Sequence, residues 1–166
     1  MNKKELQLFF EYDAWADRLF FESSAALSGE QYCRDHGASF GSIHGTLVHI
    51  LSANCIWSAR WNKRTPIPLK PEDLTVLESV KKQWNTYRLD IDNLLRTISE
   101  EALQSPFPYT DFKGTVHAQT LWLQMLHKVN HSSYHRGQAA AMMRMIGVKP
   151  VGTDFINYAR IMENNE

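Results

Sequence analysis

The sequence contains little cysteine, no excess of either charge and no long hydrophobic run. Its two cysteines, Cys33 and Cys55, are far apart and form no Cys-x-x-Cys motif, so we expect two reduced thiols. Eighteen basic residues balance eighteen acidic ones, and this balance argues against nucleic-acid binding, which needs a basic surface. The apolar runs are far shorter than the ~20 residues of a transmembrane helix, so we expect no membrane span.

The N-terminal segment lacks the features of an export signal. Glu11, Asp13 and Asp17 interrupt the stretch where a signal peptide carries an uncharged apolar segment, so we expect a cytoplasmic protein. The chain has 166 residues, of which 43% are hydrophobic, and this is enough for one substantial core. We therefore predict a single domain over residues 1–166.

Most of the chain has the apolar spacing of amphipathic α-helices. A capping box of Asn2 and Glu5 predicts the start of the first helix, and a second box of Thr75 and Glu78 predicts the start of the third. Residues 154–162 predict a short helix at the end of the chain. The four long predicted helices are residues 2–26, a segment from Ser39 or Ser42 to residue 61, residues 75–99 and residues 120–146.

Two proline-containing segments separate these predicted helices. Residues 64–71 hold three of the six prolines and form a connector. Residues 105–118 contain Pro106, Pro108 and Gly114, which predict a loop or a short, irregular β-hairpin before the last long helix. The sequence therefore predicts an all-α fold, a four-helix bundle.

Three histidines, His127, His131 and His135, are spaced four residues apart on the last long predicted helix. This spacing puts them on one helix face, where two imidazoles can share one metal ion. The same face continues through Gln138 into apolar side chains, so the imidazoles should face the bundle interior, where several protonated rings would be very costly. The pattern fits a divalent metal site, but it also fits a polar layer in which the histidines bind other side chains.

Neighbouring residues exclude several known classes of site. A zincin has Glu directly after its first histidine, whereas Ser132 follows His131. The chain has no Glu-x-x-His motif of di-iron bundles and no Cys/His zinc-finger spacing. A further metal ligand must then come from another helix. The second helix offers His44 and His49, and Cys55 on the same helix is a less favoured fourth ligand.

Four segments resemble those of DinB-like proteins in the DinB/YfiT superfamily. Residues 127–138, which end in His-Arg-Gly-Gln, resemble the family signature, and residues 39–50 agree with the second helix. Residues 12–17 agree more loosely with the first helix, and residues 147–155 match the closing segment. The resemblance spans nearly the whole chain. It implies an up-down-down-up four-helix bundle, usually dimeric, with a divalent metal ion held by three histidines.

The resemblance implies His49, His131 and His135 as the metal ligands, with zinc or nickel as the expected ion. His127 is then an outer group beside the site, and His44 is a structural residue near the start of its helix. The three ligands follow from matching the family motif, whereas His44 is set aside because it lies five residues from His49 and not on the same helix face.

Other residues near the matched motifs have smaller expected roles. Arg136 and Gln138 are expected to pack or to hydrogen-bond near the site. A glycine inside a helix is unfavourable by ~1 kcal/mol relative to alanine, so Gly137 suggests the close approach of another backbone. Asn54 stands where many relatives carry Glu. The outer-shell or acid–base role that a glutamate carboxylate could have at this position is therefore not expected here.

Three neutral imidazoles around a tetrahedral ion leave one coordination position open, as in catalytic zinc sites. Characterised members of the superfamily include thiol-dependent transferases and isomerases, and hydrolases have been proposed. We therefore expect a metal-dependent enzyme, either a low-molecular-weight-thiol S-transferase or a hydrolase, that acts on a small thiol or electrophile. The alternative is a non-catalytic stress-response bundle in which the metal and the dimer are structural. No catalytic residue is assigned.

Overall fold

The structure, a computed structural model, describes residues 1–164. Over these residues the chain forms seven α-helices and one antiparallel β-hairpin. In chain order the elements are α1 (Lys3–Ala25), α2 (Gly29–Cys33), α3 (Ile43–Trp61), α4 (Leu77–Thr97), α5 (Glu100–Gln104), β1 (Pro106–Thr110), β2 (Val116–Thr120), α6 (Leu121–Met145) and α7 (Phe155–Glu163), with a 3₁₀ turn at Pro71–Asp73. The predicted helical fold and the predicted hairpin are both confirmed.

Side-chain caps set the start of two long helices. In α1 the side chain of Asn2 accepts a bond from the Glu5 N–H, and the Glu5 carboxylate accepts one from the Asn2 N–H, both at 2.8 Å. Ser42 caps α3 by accepting from the backbone N–H of Gly45. The capping box predicted for α4 is wrong, because that helix begins after Val76 without a side-chain cap. Its Glu78 instead pairs with a lysine one turn along the helix.

The four long helices form a bundle in which α1 and α3 lie diagonally opposite each other. Each of them packs against both α4 and α6. Helix α6 runs parallel to α1 and antiparallel to α3, and α4 runs antiparallel to α1, which gives the up-down-down-up connectivity. The pairs Asp13–Lys128 and Ser23–Met143 fix the direction of α6 relative to α1. The pairs His49–His131 and Trp61–Gln124 fix α3 relative to α6. The pairs Asp17–Trp84 and Phe10–Arg88 fix α4 relative to α1.

The β-hairpin closes one end of the groove between α3 and α6. Tyr109 on β1 is the register partner of His117 on β2. Gln124 at the start of α6 donates from Nε2 to the carbonyls of Phe107 and Gln119, at 2.7 and 2.9 Å. Its Oε1 accepts a bond from Nε1 of Trp61 at 3.3 Å. One buried amide therefore joins the hairpin to both helices.

Two short helices lie in segments that the periodicity of the sequence does not resolve. Helix α2 begins at a capping box of Ser28 and Gln31, and Ser99 caps α5. Each has five residues, which is too short for an amphipathic repeat to appear. Among the described residues, none of the helices combines the length and the apolar character that crossing a membrane requires.

Candidate metal centre

Three imidazoles from two helices converge where α3 and α6 face each other. His131 and His135 lie one turn apart on α6, and His49 faces them from α3. The Nε2 atom of His49 lies 3.1 Å from Nε2 of His131 and 3.2 Å from Nε2 of His135. The three candidate ligand atoms all lie within 4.8 Å of one another. The structure thus brings together the three histidines that the family motif implied.

The spacing of the nitrogens fits a shared metal ion. In a tetrahedral zinc site with Zn–N distances of 2.0–2.1 Å, two ligand nitrogens are about 3.3 Å apart. Hydrogen bonds alone would satisfy the three rings less well, because a single N–H on Nε2 of His49 would have to be shared between Nε2 of His131 and Nε2 of His135. A divalent ion instead accepts a lone pair from each ring. The donor set therefore can hold a metal ion.

The tautomer of His135 is set by its neighbour Gln138. Oε1 of Gln138 lies 2.8 Å from Nδ1 of His135, so Nδ1 carries the proton and Nε2 keeps its lone pair toward the cluster. The expectation that Gln138 hydrogen-bonds near the site is confirmed. Nδ1 of His131, in contrast, is buried and has no hydrogen-bond partner within residues 1–164. Its ring is instead flanked by two others on the same helix, those of His127 and His135.

Two of the three rings are uncharged at neutral pH. Burial, reinforced by His135, lowers the pKa of His49 to about 4. Burial, together with His135 and His49, lowers the pKa of His131 to about 3. Neutral imidazole is the form that binds a metal ion, so these two rings need release no proton before they bind one.

Phe40, which sequence reasoning did not single out, covers the ring of His49. The two rings stack with centroids 3.6 Å apart, and the edge of Phe40 also meets His135 at 5.3 Å. Phe40 reaches this position because the loop before α3 lies directly on the helix. A Cβ atom on Gly45 would lie 2.1 Å from the Phe40 carbonyl oxygen, so this close approach requires glycine.

The remaining histidines lie outside the cluster. His127 is largely exposed, and its ring meets Trp57 edge-on at 5.6 Å. His44 is buried, and its Nε2 lies 2.7 Å from the carbonyl oxygen of Leu74, which agrees with the structural role expected for it. His117 lies on β2 and pairs with a carboxylate of the hairpin, not with the cluster.

Cys55, the less favoured fourth ligand, is not part of the site, and the expectation for Gly137 is not met. Cys55 lies outside the three-histidine group and faces α4, where Nε2 of Gln83 approaches its sulfur at 3.9 Å. Burial raises the pKa of this thiol, which disfavours the thiolate. The expected close backbone approach at Gly137 is wrong, since a Cβ there would meet nothing within 4 Å.

Asn54, at the position where many relatives carry Glu, is completely buried. Its Oδ1 accepts a bond from Oγ of Ser132 at 3.3 Å, and its Nδ2 has no partner among the described residues. Asn54 therefore ties α3 to α6 next to His131, and it supplies no carboxylate to the cluster.

Behind the cluster, four buried charged groups join α6 to α1. Nη1 of Arg136 donates to Asp13 and to Asp17, both at 2.7 Å, and Nζ of Lys128 also contacts Asp13. Nε1 of Trp84 donates to Asp17 at 3.0 Å. We call Asp13, Asp17, Lys128 and Arg136 the buried ion cluster, and the most exposed of its side chains, that of Asp17, is only 6% exposed.

The two carboxyls of the buried ion cluster differ in acidity. Burial favours the neutral acid, but Lys128 and Arg136 outweigh it and hold the pKa of Asp13 below its ordinary value. Burial and the charge of Asp13 raise the pKa of Asp17. Because Arg136 directly follows His135, these contacts anchor the helix backbone that carries the candidate ligands.

Known proteins resemble this chain in both sequence and fold. The model of the DinB family matches residues 1–166. The chain belongs to the DinB family. Protein DinB of Bacillus subtilis (strain 168) is 26% identical over 156 residues, covering 88% of each chain. The uncharacterised protein YizA of the same organism is 25% identical over 148 residues, covering 89% of this chain and 92% of its own.

Two solved structures share the fold. A DinB-like protein from Bacillus cereus ATCC 10987 superposes with a TM-score of 0.61 at 18% identity, covering 87% of this chain and 94% of that one. A conserved protein from Enterococcus faecalis gives a TM-score of 0.66 at 16% identity, covering 85% of this chain and 96% of that one. At these identities the likeness supports the DinB-type bundle alone.

Proposed function

We propose that this DinB-family protein is a metal-dependent enzyme in which His49, His131 and His135 hold one divalent ion, zinc or nickel. The observation that carries the proposal is the convergence of three Nε2 atoms at a spacing that suits one ion. We further propose that the enzyme either transfers a low-molecular-weight thiol to an electrophile or hydrolyses a small electrophilic substrate. Thiol transfer and hydrolysis both need the same chemistry from the ion.

The side chains around the cluster would prepare it for that role. An ion held by three neutral imidazoles supplies a Lewis acid that lowers the pKa of water or of a thiol. Gln138 keeps the proton of His135 on Nδ1, away from the cluster. Phe40 covers one face of His49 and limits water around it. Phe40, Val48 and Ser52 line, with His49, a cavity of about 220 Å³ that His131 and His135 do not border.

A non-catalytic role is the second candidate, and one feature of the site favours it. The three-histidine group contains no carboxylate among the described residues, and Asn54 is bound to Ser132. The group thus offers no carboxylate for general acid–base work. In this alternative the metal ion stabilises a stress-response bundle, and a dimer would be structural as well.

The two candidates are separated by a reaction screen on the metal-loaded protein. The protein, loaded with zinc or nickel, is incubated with a panel of electrophiles, each with and without low-molecular-weight thiols. The S-transferase role predicts product only when both are present, and the hydrolase role predicts product without the thiol. In either case the His131→Ala variant should be inactive. A metal-binding protein that turns over no member of the panel would favour the structural role.

A further inference from the structure

A second cavity lies beside the candidate metal centre, between α3, α6 and the hairpin. Its volume is about 200 Å³, and we call it the aromatic groove. The ring of His127 lies between the groove and the cluster, 5.6 Å from the ring of Trp57 and 6.1 Å from that of His131. The residues that line it are Trp57, Tyr109, Gln119, Leu123, Gln124 and His127.

Arg60 lies beside the aromatic groove, over the rings of Trp57 and Tyr109 that line it. It follows His49 by eleven residues, which is three helical turns, so it lies on the same face of α3 about 16 Å further along. Its Cζ atom lies 4.8 Å from the ring centroid of Trp57, 4.9 Å from that of Tyr109 and 5.5 Å from that of Phe112. These rings hold the guanidinium in place through cation–π contacts.

The charge of Arg60 has no anionic partner among the described residues. Within residues 1–164 no carboxylate lies within salt-bridge distance of it, whereas Arg64 pairs with Asp90 nearby. Its Nη2 donates to the Thr110 carbonyl at a long 3.4 Å, and its buried Nε has no partner in the described part of the chain.

An acidic side chain close to Arg60, that of Asp111, is already engaged. Asp111 accepts bonds from the backbone N–H groups of Lys113 and Thr115, at 2.8 and 2.9 Å, and pairs with His117 at 3.1 Å. A half-buried cation that is fixed by rings and makes no direct ion pair is suited to an anion from outside the protein.

We propose that the aromatic groove binds a substrate that carries a carboxylate and a flat apolar group. Arg60 receives the carboxylate, and Trp57 and Tyr109 contact the flat group. The reacting end of the substrate then extends past His127 to the three histidines. The inference rests on the proposed function for that last step, but the groove and Arg60 are separate from the metal ligands and can be tested without them.

The test uses 3-phenylpropionate as the probe and its neutral amide, 3-phenylpropionamide, as the matched control. Both are titrated into 15N-labelled protein treated with a chelator, so that the carboxylate cannot bind a metal ion. The indole N–H signal of Trp57, assigned with Trp57→Phe, reports on the groove. We expect saturable shifts with the carboxylate and affinity at least about tenfold weaker for the amide, because a charged partner of arginine is lost.

Variants of Arg60 show whether it causes this preference. Arg60→Gln should remove the preference for the carboxylate, and Arg60→Lys should keep part of it. Arg144→Gln, on the exposed end of α6, should behave like the wild type. Equal binding of carboxylate and amide by the wild type would overturn the proposal. A preference for the carboxylate that survives in Arg60→Gln would also overturn it. The same holds if Arg60→Gln melts at a lower temperature but binds both probes with wild-type affinity.

Metal titration of the same proteins separates this inference from the proposed function. Arg60→Gln should bind a divalent ion as tightly as the wild type. If the wild type binds metal but does not bind the probe, the groove assignment fails and the metal site stands. If the probe binds but no metal does, the proposed function fails and the groove stands.

Discussion

Oε1 of Gln138 lies 2.8 Å from Nδ1 of His135, and this contact determines which nitrogen of the ring faces the cluster. Without it, the ring could place its proton on Nε2 and lose the lone pair that a metal ion needs.

We therefore expect Gln138→Ala to weaken divalent metal binding by about 10–100-fold, the usual effect of losing such an outer partner. Isothermal titration with zinc, alongside Gln104→Ala at an exposed position of α5 as a control, measures this effect. Equal affinities of the two variants would show that Gln138 does not set the tautomer.

Replacing any one of His49, His131 and His135 by alanine should abolish stoichiometric binding of about one ion per chain, because two imidazoles cannot reproduce the site. His127→Ala should have a smaller effect, since its ring lies outside the group.

His36→Ala, in the loop after α2, is the control for these four variants in a metal titration. If His127→Ala lost binding while His49→Ala kept it, the assignment of the ligand on α3 would be wrong. If none of the four mattered, the histidines would form only a polar layer.

The metal-free protein should lose stability as the pH falls below about 6.5. The pKa of His49 is lowered to about 4 and that of His131 to about 3. Between these values and about 6.5 the unfolded chain binds protons that the folded chain does not, so the free energy of unfolding decreases with falling pH. Urea unfolding in chelator at pH 7.5, 6.5 and 5.5 should show this decrease, with a smaller slope for His49→Ala. A flat profile over this range would contradict the lowered pKa values.

The buried ion cluster predicts an asymmetric response to mutation. Asp13→Leu alone should lower the free energy of unfolding by roughly 3–5 kcal/mol, because it leaves Lys128 buried without a counter-charge. The double variant Asp13→Leu with Lys128→Met removes one charge of each sign and keeps the pair of Arg136 with Asp17. It should be more stable than the single variant. Urea unfolding of both proteins measures the difference, and a double variant less stable than the single one would rule out this account.

We also expect a homodimer, as the family resemblance implied. Sedimentation at micromolar concentration should then show a species of twice the 19.2 kDa chain mass. A single species of 19.2 kDa under those conditions would show that the chain is a monomer.

Some features set by local sequence were predicted correctly, although the capping box of Thr75 and Glu78 was not. The reciprocal cap of Asn2 and Glu5 is contained within four residues, and the face shared by His131 and His135 follows from helical spacing alone. The third member of the cluster, His49, is 82 residues from His131. No periodicity relates residues so far apart, and only the family motif linked them.

The buried ion cluster does leave a signal in the sequence. Asp13 and Asp17 lie in the same helical stripe as Leu6, Phe10 and Phe20, all of which are buried. Two carboxylates inside an apolar stripe indicate buried cations elsewhere, although the spacing does not identify them. The two acids argue against a signal peptide and belong to the segment 12–17 that resembles the family's first helix, but neither argument predicts the buried ion cluster. Phe40 and Gly45 leave no such signal, because their contact depends on the path of a loop.

The buried ion cluster also constrains how members of this family can exchange segments. Both of its acids come from α1 and both of its bases from α6, at opposite ends of the chain. A recombination event between residues 25 and 121 would join the α1 of one parent to the α6 of another. Unless the other parent carries the same four charges, the hybrid would bury charges without partners. The first and last long helices are therefore expected to be inherited together.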